Sequence, residues 1–397
     1  MEYISDRVKT MAVSQTLAMA QKSRELTAKG LDIISLSIGE PDFNTPDYIK
    51  EAAKKAIDEN YSTYPPVPGY RDLLEAISEK FRKENRLIYT TDQIIVSAGA
   101  KHSLINVILS IVNPGDEVII PAPYWVSYYD QVILAGGKPV IISASLENDF
   151  KITPEQLESA ITKKTRLIMF NSPSNPTGMV YSRDEMEKLA GVIEKHEGVF
   201  IMSDEIYEHI IFEGEHISMA SFASIYDRVI TVNGVSKGYA MTGWRIGYIG
   251  APVWIAKACN KLQGQFTSGV CSIAQRAALA ALKGTNESQV IMRDAFLRRR
   301  NLICGLLKDV KGLKFRIPQG AFYVMPDITY YLGKSDGENR INTSDDLALY
   351  LLDKAQVATV GGDGFGAPEC IRISYATSDE LLVKAVKRIT EALSCLK

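Results

Sequence analysis

Cysteine, histidine and tryptophan are scarce in this sequence: 397 residues hold five, four and three of them. Cys259, Cys271, Cys304, Cys370 and Cys395 form no C-x-x-C pair and no disulfide-like rhythm, and five is odd. A secreted disulfide framework is thereby excluded, and the pattern fits reduced thiols of a cytoplasmic protein. His102, His196, His209 and His216 show no metal-ligand spacing with the cysteines, so no metal is expected. The longest strongly apolar runs, such as Leu104–Val112, fall far short of the ~20 residues a bilayer crossing needs. The start, Met1-Glu2-Tyr3, has neither the basic opening nor the apolar stretch of a signal peptide. Surplus charge is missing too: 45 Lys+Arg against 47 Asp+Glu leave a net of −2. That near-balance argues against nucleic acid as a partner, which a basic stripe would have to neutralise, and against an acidic disordered tail. No repeat, low-complexity tract, Walker loop or G-x-G-x-x-G after a strand is present.

Hydrophobic residues at 46% and charged residues at 23% describe a chain that buries a large core. At roughly 100–200 residues per domain, two or three domains are expected. Between Ile94 and Gly250, short β-branched runs alternate with helical patterns. The strand candidates are Ile94–Ser97, Glu117–Ile120, Pro139–Ile142, Leu167–Asn171, Phe200–Ser203, Val229–Val232 and Ile246–Ile249. Helix-like windows, such as Asp47–Glu59, Leu104–Val112 and Arg183–His196, precede or separate them. Such alternation predicts an α/β fold with a mostly parallel seven-stranded sheet covered on both faces. From Ala251 the pattern is helical to about Leu307, and Arg298-Arg299-Arg300 reads as a solvated helix face. The last ~80 residues mix strands (Phe322–Met325, Cys370–Ser374) with helices, an α+β unit separate from the sheet. The last helix opens on Thr377-Ser378-Asp379-Glu380, a capping-box pattern. Gly361-Gly362-Asp363-Gly364-Phe365-Gly366 precedes no helix-like run and reads as a turn near an active-site entrance.

In open α/β sheets, ligands gather at the carboxyl ends of strands, so the residues there carry the most information. Lys237 follows an apolar strand in a Gly- and Ser-rich loop, where partial desolvation would suit a Schiff-base nucleophile and proton carrier. Arg245, eight residues on, can offer a planar fork to a phosphate, and Ser236 a hydroxyl. Asp204 ends a buried strand, where an unpaired carboxylate is costly and calls for a cation such as a protonated pyridine nitrogen. Tyr207 lies three residues later. Asn175 sits between two X-Pro turns. Gly99-Ala100-Lys101 opens a helix whose free N–H groups suit an anion. Singly, each also reads as a turn, a cap or a surface residue. Together they align an amine, an acid, a phenol, an amide, an arginine and an anion cradle along one edge.

The ordered set Gly39-Glu40-Pro41-Asp42-Phe43, Asn175-Pro176-Thr177-Gly178, Asp204-Glu205-Ile206-Tyr207, Ser236-Lys237, Met241-Thr242-Gly243-Trp244-Arg245 and Arg372-Ile373-Ser374-Tyr375 resembles the class I aminotransferases of pyridoxal-phosphate fold type I. The resemblance runs from about Ser35 to Thr377. Pro123-Tyr124-Trp125-Val126-Ser127-Tyr128, with Lys101 after Ala98-Gly99-Ala100, is closest to the bacterial-type aspartate branch. It implies pyridoxal 5′-phosphate as cofactor, Lys237 as its Schiff-base lysine and proton shuttle, and Asp204 as partner of the ring nitrogen. It implies further that Tyr207 and Asn175 hold the ring's phenolic oxygen and that Trp125 stacks on the ring. The N–H groups of Gly99 and Ala100, with Ser236 and Arg245, would hold the phosphate. Tyr64 resembles a tyrosine that reaches the phosphate of a neighbouring subunit, which implies a homodimer with shared sites.

Arg372 matches the family arginine that grips the substrate α-carboxylate, with the Gly39 backbone alongside. Lys101 matches the cation for a distal carboxylate, a role set ahead of the alternative that a lysine there binds phosphate or solvent. The implied domains are 46–289 for the cofactor, and 1–45 with 290–397 for a small domain that includes an N-terminal lid. Two departures stand out: Gly234 replaces a serine often found three residues before the lysine, and Met11-Ala12-Val13 lacks the basic residue and proline that often precede Ser14. That basic residue is associated with prephenate, so its absence argues against a prephenate-using variant, while Thr16 remains a lid contact. The expected activity is aspartate aminotransferase, with 2-oxoglutarate as acceptor. Rivals on the same fold are an aromatic or alanine aminotransferase and a carbon–sulfur β-lyase. A regulatory module of this fold would carry a DNA-binding domain before the lid, and none is expected here.

Overall fold

The structure, a computed structural model, describes residues 3–397. Among the described residues the strands are β1 (Ile34–Ser35), β2 (Ile94–Ser97), β3 (Glu117–Ala122), β4 (Lys138–Ser143), β5 (Thr165–Asn171), β6 (Phe200–Asp204), β7 (Val229–Gly234), β8 (Gly247–Gly250), β9 (Tyr323–Val324), β10 (Val357–Ala358), β11 (Val360–Gly361) and β12 (Ile371–Ser374). All seven strands expected between Ile94 and Gly250 form, the last one residue later than its apolar run suggests. They make one sheet in the order β2-β8-β7-β6-β5-β3-β4. Strand β8 is antiparallel to both neighbours and the other pairs are parallel.

Alternate residues of these strands feed two cores. Ile94, Val96, Ile119, Ile168, Ile201 and Val229 join one, and Ile95, Val118, Ile120, Leu167, Met202 and Val232 join the other. A sheet covered by helices on both faces needs apolar side chains at successive positions, which explains the near-continuous hydrophobic runs. Because β8 is the lone antiparallel strand, the carboxyl ends of β2, β3, β5, β6 and β7 and the start of β8 share one edge.

A third core joins Ile34 and Leu36 to Phe296, Ile303, Leu351, Ile371 and Ile389. Here β1 pairs with β10 in parallel, while β12 lies antiparallel between β11 and β9. The final helix, Asp379–Ser394, is capped by Ser378, whose Oγ accepts from Leu381 N–H at 3.3 Å, rather than by a box on Thr377.

The arginine triplet departs from expectation. Arg298 is exposed and pairs with Asp379 at 2.8 Å, but Arg299 and Arg300 are buried. Arg299 forks onto both oxygens of Asp42 at 2.6 and 2.8 Å. Arg300 donates to Glu213 at 2.5 Å and to the Pro318 carbonyl at 3.0 Å. A guanidinium can be buried once carboxylate and carbonyl acceptors replace its water, and those acceptors are remote in sequence.

Candidate active site

A cavity of about 380 Å³ opens at the shared edge of the sheet. Its lining brings together Gly39, Ala100, Lys101, Trp125, Asn175, Asp204, Tyr207, Ser236, Lys237, Arg245 and Arg372, nearly every residue singled out in the sequence. Gly99 lies directly behind it as the residue preceding the helix Ala100–Ile111. Tyr64 is the exception: it is 96% exposed and lies outside this chain's own cavity lining.

Lys237 follows β7. Its Nζ donates to the Gly39 carbonyl at 2.6 Å and sits 5.8 Å from the centre of the Tyr207 ring. Loss of hydration lowers its pKa to about 8; Glu40 and Asp204 oppose that shift, and Arg245 and Arg372 add to it. Asp204, at the end of β6, is 5% exposed. Its Oδ2 accepts the Tyr128 hydroxyl at 2.7 Å and its Oδ1 accepts Ile206 N–H at 3.3 Å. Burial raises its pKa to about 6, against the pull of those two donors.

Arg372, on β12, is 1% exposed and has no carboxylate partner among the described residues. It donates to Asn175 Oδ1 at 3.0 Å and to the Ser37 carbonyl at 2.6 Å. The guanidinium lies 4.7 Å from the Tyr323 ring and 4.9 Å from the Phe365 ring, while its buried Nε has no partner among the described residues. Burial lowers its pKa. A buried cation held only by neutral acceptors is costly, and an incoming carboxylate relieves that cost. Lys101 lies 4.7 Å over the Trp125 ring and likewise has no anionic partner among the described residues. The Tyr207 and Tyr323 hydroxyls are 2.8 Å apart.

The phosphate-type cradle differs in one detail from its sequence reading. Gly99 N–H turns back onto the Ser97 carbonyl at 2.7 Å, so the unpaired donors at the helix start are those of Ala100 and Lys101. Gly99 itself has φ +85° and serves by lacking a side chain, since a Cβ there would collide with the Arg245 guanidinium. Arg245 donates to the Thr242 carbonyl at 2.7 Å and more weakly to that of Ala98 at 3.4 Å, and pairs with no carboxylate among the described residues.

Several residues in or beside the lining escaped the sequence reading. Tyr128 and Tyr323 touch Asp204 and Tyr207, and Ser37 supports Arg372. Tyr128 had a local signal, being three residues beyond Trp125. Tyr323 did not, because its placement follows from the pairing of Tyr323 with Ser374 across β9 and β12. On the helix Gln15–Ala28, residues Thr16, Leu17, Ala20 and Arg24 line the cavity, a spacing that puts them on one helix face. Gln15 fastens the start of that helix, donating to Asp345 at 2.6 Å and accepting Gly364 N–H at 2.8 Å. The glycine-rich stretch is thereby tied to the start of this helix.

Two of the histidines lie among carboxylates rather than near cysteines. Glu205, Glu208 and His216, and likewise Glu84, Glu208 and His209, bring ligand-type atoms within 4.8 Å of one another. Side-chain cations already answer these carboxylates: Lys80 sits on Glu208, and His216 Nε2 is 2.9 Å from Glu205.

A cavity that offers a buried carboxylate, a desolvated lysine and an anion cradle at a helix start fits pyridoxal 5′-phosphate: a basic ring nitrogen, an aldehyde and a phosphate. The seven-stranded sheet and this site define a fold type I pyridoxal-phosphate enzyme. The chain belongs to the aminotransferase class I and II family, whose sequence profile matches residues 31–389. It is 50% identical over 392 residues to the aspartate/prephenate aminotransferase of Cereibacter sphaeroides, covering 98% of each chain. It is 46% identical over 390 residues to the aspartate aminotransferase of Bacillus sp. YM-2, again covering 98% of each. Among solved structures, the aspartate aminotransferase from Rhizobium meliloti superposes with a TM-score of 0.95 at 42% identity, over 99% of both chains. That of Thermus thermophilus with maleate gives 0.93 at 41% identity, over 99% of this chain and 100% of the other.

Proposed function

We propose that this chain is an aspartate aminotransferase. It transfers the amino group between L-aspartate and 2-oxoglutarate, giving oxaloacetate and L-glutamate in a ping-pong cycle. The observation that carries this reading is the buried, carboxylate-free guanidinium of Arg372 sharing a cavity with the unpaired ammonium of Lys101. A dicarboxylic amino acid supplies one anion for each. A neutral side chain would leave Lys101 without a partner, which disfavours aromatic donors and alanine.

Bound pyridoxal phosphate supplies the electron sink that makes a substrate Cα proton removable. Lys237 takes and returns that proton at its Nζ, helped by a pKa of about 8 that makes neutral amine available at mildly alkaline pH. Asp204 would keep the ring nitrogen protonated, and Trp125 would offer its face to the ring. Arg372 occupies Asn175 Oδ1, so the Asn175 amide N–H groups remain to hold the ring's phenolic oxygen, together with Tyr207. Ser236, Arg245 and the N–H groups of Ala100 and Lys101 hold the phosphate. Tyr64, exposed and outside the lining of its own cavity, would serve the phosphate of a partner copy, which makes the working form a homodimer.

The residues 46–289 carry the cofactor; 1–45 and 290–397 form the small domain. The pairing of β1 with β10, and the core that Ile34 and Leu36 share with residues 292–396, support that division. Five free cysteines and the absence of any helix long and apolar enough to cross a membrane, among the described residues, support a cytoplasmic location.

One observation favours prephenate as a further acceptor. The lid does carry a cation, Arg24, on its cavity face, which the motif around Met11–Val13 did not disclose. Relatives named for prephenate, such as that of Cereibacter sphaeroides, bear on the same point.

An amino-donor panel with 2-oxoglutarate and with prephenate tests the whole reading. Aspartate and glutamate should lead, and Lys237→Ala should abolish turnover. Phenylalanine or alanine matching aspartate, with Lys101→Ala harmless, would overturn the dicarboxylate assignment. Release of pyruvate and ammonia from cysteine conjugates would point to a carbon–sulfur β-lyase.

A further inference from the structure

The environment of Asp204 contains a group with no role so far. Tyr128 is the second residue of the helix Ser127–Leu134 and is only 2% exposed. Its ring packs edge-on against Trp125, with centroids 5.6 Å apart and planes at 89°. The hydroxyl makes one hydrogen bond, to Asp204 Oδ2 at 2.7 Å. The other carboxylate oxygen receives only the longer bond from Ile206 N–H, at 3.3 Å. Thus a single short donor from the protein faces a buried carboxylate.

A carboxylate with one oxygen capped has a fixed plane. Each oxygen can accept about two hydrogen bonds, and a donor on the ionised form favours that form over the protonated one. Burial works in the opposite direction by penalising the charge. Burial and the neighbouring carboxylate also keep the phenol protonated, so Tyr128 stays a donor. The same side chain braces Trp125, so one residue touches both the group beneath the cavity and the aromatic ring at its wall.

We propose that Tyr128 is a positioning residue for the cofactor: through its hydrogen bond to Oδ2 it holds Asp204 ionised and in one orientation, so that Asp204 can pair with the pyridine nitrogen. This rests on the assignment of Asp204 to that nitrogen. Removing the hydroxyl leaves Asp204 short of a donor, raises its proton affinity and weakens its hold on the ring cation. Because the hydroxyl, not the ring, carries the effect, Tyr128→Phe preserves the packing against Trp125.

The test is a double-mutant cycle on the full chain, with Tyr128→Phe, Asp204→Asn and the pair. The readouts are the dissociation constant for pyridoxal phosphate, by equilibrium dialysis, and the pH midpoint of the bound cofactor's visible absorbance. Losing one hydrogen bond to a charged group should weaken cofactor binding about tenfold in Tyr128→Phe. The absorbance midpoint should rise, since a less fully protonated ring nitrogen withdraws less charge. Both effects should vanish when Asp204→Asn is already present. An equal loss in either background would make Tyr128 merely structural and overturn the proposal, as would an unchanged affinity and midpoint in Tyr128→Phe beside a clear effect of Asp204→Asn. Should Asp204→Asn itself leave affinity and spectrum unchanged, the assignment of Asp204 falls first and the role of Tyr128 with it.

Discussion

Asp204 should cost the cofactor-free protein stability at neutral pH, and the cost can be worked from its surroundings. Its carboxyl pKa rises from 3.8 to about 6, chiefly through burial. At 1.36 kcal/mol per unit, a shift of about two units corresponds to about 3 kcal/mol. The sign follows from proton binding. The folded state holds this proton more tightly than the unfolded chain does, so the group stabilises most below the unfolded pKa. That stability is lost as pH rises from about 4 through about 6. Asp204→Asn removes the titration and keeps an oxygen for the Tyr128 hydroxyl. Apo-protein carrying Asp204→Asn should therefore gain up to about 3 kcal/mol over wild type at pH 8, and nearly nothing at pH 4. Urea unfolding at several pH values measures this, with protein concentration held fixed. The same variant should bind pyridoxal phosphate more weakly, a group that destabilises the empty site while serving the filled one. A wild-type-to-variant difference that stays within about 0.5 kcal/mol across this range would refute the argument.

Arg372→Lys retains the charge but loses the planar fork. One lost hydrogen bond to a carboxylate is worth about 1.5–3 kcal/mol, so kcat/KM for aspartate should fall between about tenfold and a hundredfold. Steady-state kinetics decide it, and a change under about threefold would remove Arg372 from the carboxylate grip. Gly99→Ala forces a side chain onto a residue at φ +85° facing the Arg245 guanidinium. Affinity for pyridoxal phosphate should drop at least about tenfold, at a strain of about 1–3 kcal/mol, as read by dialysis and by urea unfolding.

Much of this architecture is legible in the chain because burial on both faces of a parallel sheet leaves one kind of mark. Ile94–Val96 and Leu167–Phe170 are apolar at every position, Val229–Val232 at all but Thr231, and each became a strand. Site residues close to strand ends, such as Asp204 and Lys237, were legible for the same reason. Partners distant in sequence were not. Arg299 and Arg300 look solvated until Asp42, 257 residues away, and Glu213, 87 residues away, are brought to them. Tyr323 reaches Tyr207 only through the register of β9 against β12. Gly99 lies where the sequence expects the cradle, but its N–H turns back onto Ser97, since which amide of a turn folds back depends on local dihedrals that residue type does not determine.

The fork of Arg299 on Asp42 has a reach beyond its own two residues. Asp42 lies three residues after Gly39, whose carbonyl receives the Lys237 ammonium. A long helix outside the catalytic sheet is thus riveted to the floor on which the lysine rests. Natural variation along Glu287–Leu307 should then surface as altered chemistry, and an engineer who treats that helix as inert scaffold would be retuning the enzyme unawares.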